Sequence, residues 1–201
     1  MIKYIKSGLS GFSPMIEEWD EPIVREYCGK TIEGRKTRAF GNSNFEYAGR
    51  LYEPTSWSVP MQYIKKNTEK LVKRETGRKI SFSFCLCGYY GKDGKGIPHH
   101  TDTVPTLNDL IVSISFGAPR IFQWRQYKYP IKIETNTSER IPQWHKTDGI
   151  AEEINYMAQD GDVFIFDGHS QMTSTHAVLD IHEGAGERIN LTFRTGILKV
   201  N

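Results

Sequence analysis

The sequence predicts a mainly β domain with flanking helix, of sandwich or jelly-roll type, and three observations carry that prediction. From residue 80 onward the chain breaks into short β-prone segments, "ISFSFCLCGYY", "LIVSISFGAPRIFQWR", "GDVFIFDG", "HAVLDI" and "RINLTFRTGIL", punctuated by Gly, Pro and Asp. The stretch "VPMQYIKKNTEKLVKRETG" has helical spacing, with Met61, Ile64, Thr68, Leu71 and Val72 on one face. The chain has 201 residues, 38% hydrophobic and 12% aromatic, enough for one domain with a sizeable core. Short strands and one amphipathic helix fit two packed sheets with the helix laid against them.

Taken in order, the first fifty residues are mixed and loop-rich, with a basic cluster at Lys30, Arg35, Lys36 and Arg38. "NFEYAGRLY" reads as a strand and turn. The helix follows over 60–79, opened by Pro60 and closed by Gly77. The strands come next, interrupted by residues 127–157, a polar, strand-poor stretch that reads as a long insertion. No repeat, linker or low-complexity tract divides the chain. The expectation is a single domain over 1–201, with residues 1–60 as its N-terminal extension.

Composition excludes several classes. A net charge of +2 is too small to argue for nucleic acid by itself. Cys28, Cys85 and Cys87 form neither a disulfide framework nor a CxxC pair, and read as reduced thiols in a cytosol-like compartment. "MIKYIKSGLSGF" has no apolar h-region and no run reaches transmembrane length. The expectation is a cytoplasmic or nuclear monomer with no membrane association, in which the Asn136 and Asn190 sequons are chance matches.

Two motifs carry chemistry. In "RINLTFR", Ile189, Leu191 and Phe193 share one strand face, while Arg188, Asn190, Thr192 and Arg194 share the other. Such a face is either solvated or turned into a pocket that holds an anion. In "IPHHTD", His100 and Asp102 project to the same side of a strand and can take adjacent corners of a metal. A second His from another strand completes a 2-His-1-carboxylate triad with open positions on Fe(II). HxD alone is a weak signal. Of the six His, at 99, 100, 145, 169, 176 and 182, His176 is the best partner because it opens the strand "HAVLDI". His169 reads as a loop cap, His182 as a surface-turn residue, and His99 as pointing away from His100, where it packs or hydrogen-bonds. A facial-triad iron needs a two-electron co-substrate, and 2-oxoglutarate carries two carboxylates. At strand rise Arg188 and Arg194 stand roughly 20 Å apart, so one for each carboxylate is the natural division.

With these residues in place, the chain resembles the AlkB family of Fe(II)/2-oxoglutarate dioxygenases over roughly residues 38–197. The resemblance rests on "FEYAG" followed by a helix ending "ETG", "CLCGYYGKDGKGIPHHTD", "IVSISFGAPRIFQW", "GDVFIFDGHSQMTSTHAV" and "RINLTFR". The last is very close to the family's Arg-x-Asn-x-Thr-x-Arg signature. It implies a double-stranded β-helix (jelly roll), with His100, Asp102 and His176 as iron ligands and O₂ as a reactant. It implies that Arg188, Asn190 and Tyr90 hold the far carboxylate of 2-oxoglutarate, with Arg194 near the keto-acid carboxylate. It also implies an N-terminal lid over a target base, where Tyr47 occupies the place of a stacking aromatic and the cluster around Arg38 meets phosphates.

Two positions depart from the pattern. The family usually shows Asn-x-Tyr where this chain has Gly88-Tyr89-Tyr90, so one co-substrate hydrogen bond is missing or comes from elsewhere. Many nucleic-acid repair members carry an acidic residue two positions after the ligand Asp, where this chain has Val104. The expected function is oxidative dealkylation, typically demethylation, of N-alkylated bases in DNA or RNA, in a single strand or flipped out. The alternatives are a 2-oxoglutarate-dependent hydroxylase of a free nucleoside, small metabolite or protein side chain, and, more remotely, a non-catalytic nucleic-acid-binding module. Trp57, Trp124 and Trp144 are further stacking candidates, of which Trp124 reads as structural.

Overall fold

Alternating side chains sort this chain into layers, and the layers leave one polar gap. The computed structural model describes residues 2–22, 24–27, 30–47, 50–102, 104, 106–131 and 149–195, with the backbone alone at 25–27, 30–32, 46–47 and 50. In chain order the elements are β1 (Lys3–Ile5), β2 (Val24–Tyr27), β3 (Lys30–Glu33), β4 (Thr37–Gly41), β5 (Phe45–Tyr47), β6 (Arg50–Tyr52) and α1 (Val59–Thr76). There follow β7 (Phe84–Tyr90), β8 (Ile97–His100), β9 (Leu110–Gly117), β10 (Arg120–Tyr127) and β11 (Ile150–Ala158). The last are β12 (Val163–Asp167), α2 (Gly168–Thr173), β13 (Ser174–Val178) and β14 (Arg188–Arg194).

A six-stranded sheet has the order β1-β12-β9-β14-β7-β4, and a four-stranded sheet the order β11-β10-β13-β8. The ladders within both are antiparallel. Between the sheets, Phe164 and Phe166 of β12 meet Phe122 and Trp124 of β10, with the Phe122 and Phe164 rings 4.2 Å apart. On the other side of the large sheet, Val112, Ile114, Leu191 and Phe193 pack against Met61, Ile64, Leu71 and Val72 of α1. This is the expected jelly roll with a helix laid on it.

The helix begins one residue before its expected start. Ser58 caps it by accepting a hydrogen bond from the Met61 amide, so Pro60 falls inside the first turn, where its missing N–H costs nothing. Gly77, at φ 74°, ends it in the left-handed conformation that glycine adopts without strain.

Two expectations are corrected. The first fifty residues are not merely loops: β1 and β4 form the two edges of the large sheet and β2 pairs with β3, while the β5–β6 pair fits the strand and turn read in "NFEYAGRLY". β1 to β4 are only three to five residues long, too short for period-two alternation to register. The polar stretch 127–157 is not all insertion either, because the nine residues of β11 pair along β10. As an edge strand it exposes Ala151, Glu152 and Glu153, which hides it from a hydrophobicity reading. His145 and Trp144 lie outside the described residues, as does Cys28. Cys85 and Cys87 are buried free thiols, as expected. Among the described residues no helix is long and apolar enough to cross a membrane.

The helix-to-sheet layer turns on Phe193, fully buried between the Trp57 ring and Phe82. Phe193→Ala should cost about 3–5 kcal/mol. Urea denaturation monitored by tryptophan fluorescence should show the midpoint falling accordingly; an unchanged midpoint would mean the α1 layer is not part of the cooperative unit.

Candidate active site

The site grows from one cross-strand pair. β13 and β8 run antiparallel with His176 directly opposite His100. Side chains of such a pair share a sheet face, and here the two imidazole centroids stand 4.3 Å apart. Asp102 lies just past the end of β8, not on the strand as the spacing suggested. It is held there by its own amide, which donates to Gln171 Oε1 of α2 at 2.8 Å. The short helix is itself fixed by a capping box between Asp167 and Ser170. The result brings ligand atoms of His100, Asp102 and His176 within 4.8 Å of one another, with His176 Nε2 3.5 Å from Asp102 Oδ2.

The donor chemistry fits a divalent metal. His100 Nδ1 lies 2.8 Å from the Pro98 carbonyl oxygen. A carbonyl only accepts, so Nδ1 carries the proton and Nε2 presents its lone pair. His176 Nδ1 is buried with no hydrogen-bond partner among the described residues. Burial drives the His100 imidazole down to about 4, offset in part by the Asp102 carboxylate. Burial, together with the neighbouring His100, holds His176 well below the ordinary imidazole range. Two neutral imidazoles and a carboxylate are the set that leaves open positions on Fe(II).

All four members of the polar face of β14 are buried, which excludes the solvated-face alternative. Arg194 donates through Nη2 to Asp102 Oδ1, so its guanidinium backs the His100–Asp102–His176 cluster. Asn190 accepts from Ser113 Oγ at 3.0 Å and donates to Thr192 Oγ1 at 2.9 Å. Arg188 Nη2 donates to Ser115 Oγ at 2.8 Å and Asn190 Oδ1 at 2.9 Å. Its guanidinium carbon is 4.7 Å from the centroid of Tyr90. Burial, partly opposed by Tyr90, pulls the Arg188 guanidinium below its ordinary value.

A cavity of about 260 Å³ opens beside these groups. Its wall includes the three clustered residues at one end, Asn190 and Arg194 on the large sheet, and Tyr90. Arg188 touches Tyr90 and Asn190 but is not itself on that wall.

Other expected residues fall elsewhere. Val104 is fully buried in the core between the sheets, with Phe122 and Trp124, and does not line the cavity. Arg38 borders a separate depression with Glu17 and Glu18, and its guanidinium lies 3.4 Å from both Glu18 and Asp20. Tyr47 belongs to β5, with its side chain outside the described residues. Trp57 is anchored by a 2.7 Å hydrogen bond to Asn42, and Trp124 is 3% exposed, so both are structural. His99 hydrogen-bonds Thr175 and Gln123 on the opposite side from His100. His169 sits in α2 near Asn108 rather than capping a loop. The reading of the sequence missed Ser113, Ser115 and Gln171, and named Arg35 only as part of the basic cluster. For the serines a signal existed: two polar residues, two apart, inside the apolar run "LIVSISF".

Two outcomes follow from this geometry. Asp102→Ala should abolish Mn(II) binding in titration and end succinate formation. It should also cost the metal-free protein about 3–5 kcal/mol, because Arg194 loses its buried carboxylate. Secondly, both imidazoles have folded-state values below the unfolded value of about 6.5. The unfolded chain therefore binds more protons in that window, and stability present above about pH 6.5 is lost as pH falls toward about 4. Denaturant midpoints of metal-free protein at about pH 7.5 and about pH 5 check this, and equal midpoints contradict neutral buried imidazoles.

Comparison with known proteins agrees with the geometry. The family model of the 2OG-Fe(II) oxygenase superfamily matches residues 24–194. The alpha-ketoglutarate-dependent dioxygenase alkB homolog 3 of Bos taurus is 29% identical over 163 residues, covering 80% of this chain and 51% of that protein. DNA oxidative demethylase ALKBH2 of Arabidopsis thaliana is 24% identical over 184 residues, covering 88% of this chain and 57% of that protein. The chain thus spans about half the length of the curated relatives it matches. The solved structure of OsALKBH1 shares the fold, with a TM-score of 0.52 over 96% of this chain and 97% of that chain, at 16% identity. A family match that runs from β2 to the last residue of β14 takes in both sheets except the edge strand β1, and the cluster between them. The chain belongs to the 2OG-Fe(II) oxygenase superfamily, whose members work with Fe(II), 2-oxoglutarate and O₂, and within it is similar to AlkB homologues.

Proposed function

We propose that this enzyme oxidatively dealkylates N-alkylated bases in DNA or RNA. The observation that carries the reading is the cavity itself, which opens directly onto His100, Asp102 and His176. The relatives add support, since one is named a DNA oxidative demethylase.

In this reading His100, Asp102 and His176 hold Fe(II), and Arg194 keeps the Asp102 carboxylate charged and aimed. When bound, iron couples the O₂-dependent decarboxylation of 2-oxoglutarate to succinate and CO₂ with hydroxylation of a substrate carbon. The protein's own part is placement. Asn190 and Tyr90 offer hydrogen bonds along the wall, with Arg188 adding positive charge behind them. The buried partners of Asn190 and Arg188 leave few alternative rotamers, so the co-substrate meets a preorganised surface. Ile97, Phe122 and Val178 keep the opposite wall apolar and shield the reacting carbon from water. Hydroxylation next to a base nitrogen gives a hemiaminal, which expels an aldehyde and restores the base. Tyr47 is the proposed stacking partner of that base, on the N-terminal lid.

A second reading keeps the chemistry and changes the substrate to a free nucleoside, a metabolite or a protein side chain. It is favoured by the charges: Arg38 is engaged by Glu18 and Asp20 at a separate depression, and Glu33 stands on the cavity wall.

Mass spectrometry of methylated oligonucleotides and free nucleosides, incubated with enzyme, Fe(II) and 2-oxoglutarate, separates the two. Demethylation of oligonucleotides with release of formaldehyde is the expected result. Base stacking is worth about 1–3 kcal/mol, so Tyr47→Ala should weaken oligonucleotide binding while sparing uncoupled 2-oxoglutarate turnover. Oxidation of free nucleosides alone, with no oligonucleotide bound at low salt, would replace the first reading by the second.

A further inference from the structure

The large sheet carries a glycine at an interior position where a side chain from elsewhere has taken the vacated space. Gly88 of β7 lies between Asn190 of β14 and Thr37 of β4, on the inward face shared with Tyr90. A Cβ at residue 88 would stand 2.1 Å from Arg35 Nε and 3.1 Å from its guanidinium carbon. Arg35 therefore crosses over the bare backbone of Gly88 to reach the cavity wall. The segment that carries it is pinned to β7, because the Tyr89 amide donates to the Lys36 carbonyl at 3.0 Å.

Once there, the Arg35 guanidinium carbon is 5.2 Å from the centroid of Tyr90, the ring that Arg188 approaches to 4.7 Å. Two guanidinium groups thus flank one tyrosine. No carboxylate among the described residues hydrogen-bonds either of them, and Arg35 Nε, Arg188 Nε and Arg188 Nη1 are buried without a hydrogen-bond partner. Like charges gathered this way repel unless an anion joins them. Arg120, the third guanidinium nearby, does not line the cavity, and both its terminal nitrogens donate to carbonyls, those of Pro119, Gly91 and Gly186, leaving only Nε without a partner among the described residues.

We infer that Arg35 is a co-substrate-binding residue that meets the far carboxylate of 2-oxoglutarate from the cavity side, and that Gly88 exists to let it through. The inference rests on the assignment of this cavity to 2-oxoglutarate. Of the two cations beside Tyr90, Arg35 is on the wall and Arg188 is behind it, so Arg35 makes the direct approach. Selection of a diacid over a 2-oxo monoacid then depends on a residue of the N-terminal segment, outside the signature strand.

Calorimetry with Mn(II) in place of iron, using 2-oxoglutarate and the monoacid 2-oxobutyrate, tests this. Arg35→Gln should weaken 2-oxoglutarate binding roughly tenfold or more while 2-oxobutyrate binding stays within about twofold. Arg35→Lys should recover part of the loss. Gly88→Ala should displace the Arg35 side chain and reproduce the Gln phenotype, yet add nothing further in an Arg35→Gln background. Mn(II) affinity should hold in every variant. Unchanged 2-oxoglutarate affinity in Arg35→Gln, or equal losses for both acids, overturns the role of Arg35 alone. Wild-type protein that binds Mn(II) but no 2-oxoglutarate would overturn the cavity assignment, and Arg35 with it.

Discussion

One strand in the middle of the large sheet buries a polar face, and the rest of the structure answers to it. Arg188, Asn190, Thr192 and Arg194 point inward between two sheets that elsewhere pack as a dry core. An unpaired buried charge costs several kcal/mol, more than a typical side chain gains by packing. Each member therefore needs a partner at a set place: Ser115 and Asn190 for Arg188, Ser113 for Asn190, Asp102 for Arg194. Asp102 is the decisive one, since it joins the end of β8 to the far end of β14. Breaking that pair would strand a guanidinium and release the carboxylate of the candidate metal site together. Structural and chemical demands thus fall on the same two side chains.

This also explains why a cavity survives where the sheets face each other. Small polar residues, Ser113 and Thr192, stand where Phe122 and Phe164 fill the gap further along. Packing cannot close over groups that keep donors and acceptors for a ligand. The two imidazoles sit at the boundary, stacked on Phe122 and Trp124 through His176. Apolar contact on that side keeps them neutral, which is the state a metal requires.

The parts of this arrangement that depend on local pattern were legible in the sequence. Two-residue alternation marked both faces of β14, and three- and four-residue spacing marked the buried face of α1. The pairing of His176 with His100 could be anticipated because each lies on a recognisable strand. What was not legible depends on long-range placement. Val104 follows Asp102 by two residues, yet the chain turns after β8 and sends it into the core. Arg38 looks like part of a free basic cluster until acidic residues 18 and 20 come alongside it. Short N-terminal strands, and the polar β11, acquire their structure only from the edges they join.

Gly88 shows how those two kinds of information meet. Glycine in a strand interior costs about 0.5–1 kcal/mol relative to Ala, and such positions persist where another group approaches closely. Here the approaching group is Arg35, from the segment between β3 and β4. That segment forms the cavity wall through Glu33 and Gly34 as well, so it is both a boundary of the site and a source of its charge. A ligand that binds Arg35 must then stabilise the seating of residues 33–37 on β7 by the same free energy with which the seated segment favours the ligand. If Arg35 meets the co-substrate, residues 33–37 are thereby coupled thermodynamically to it.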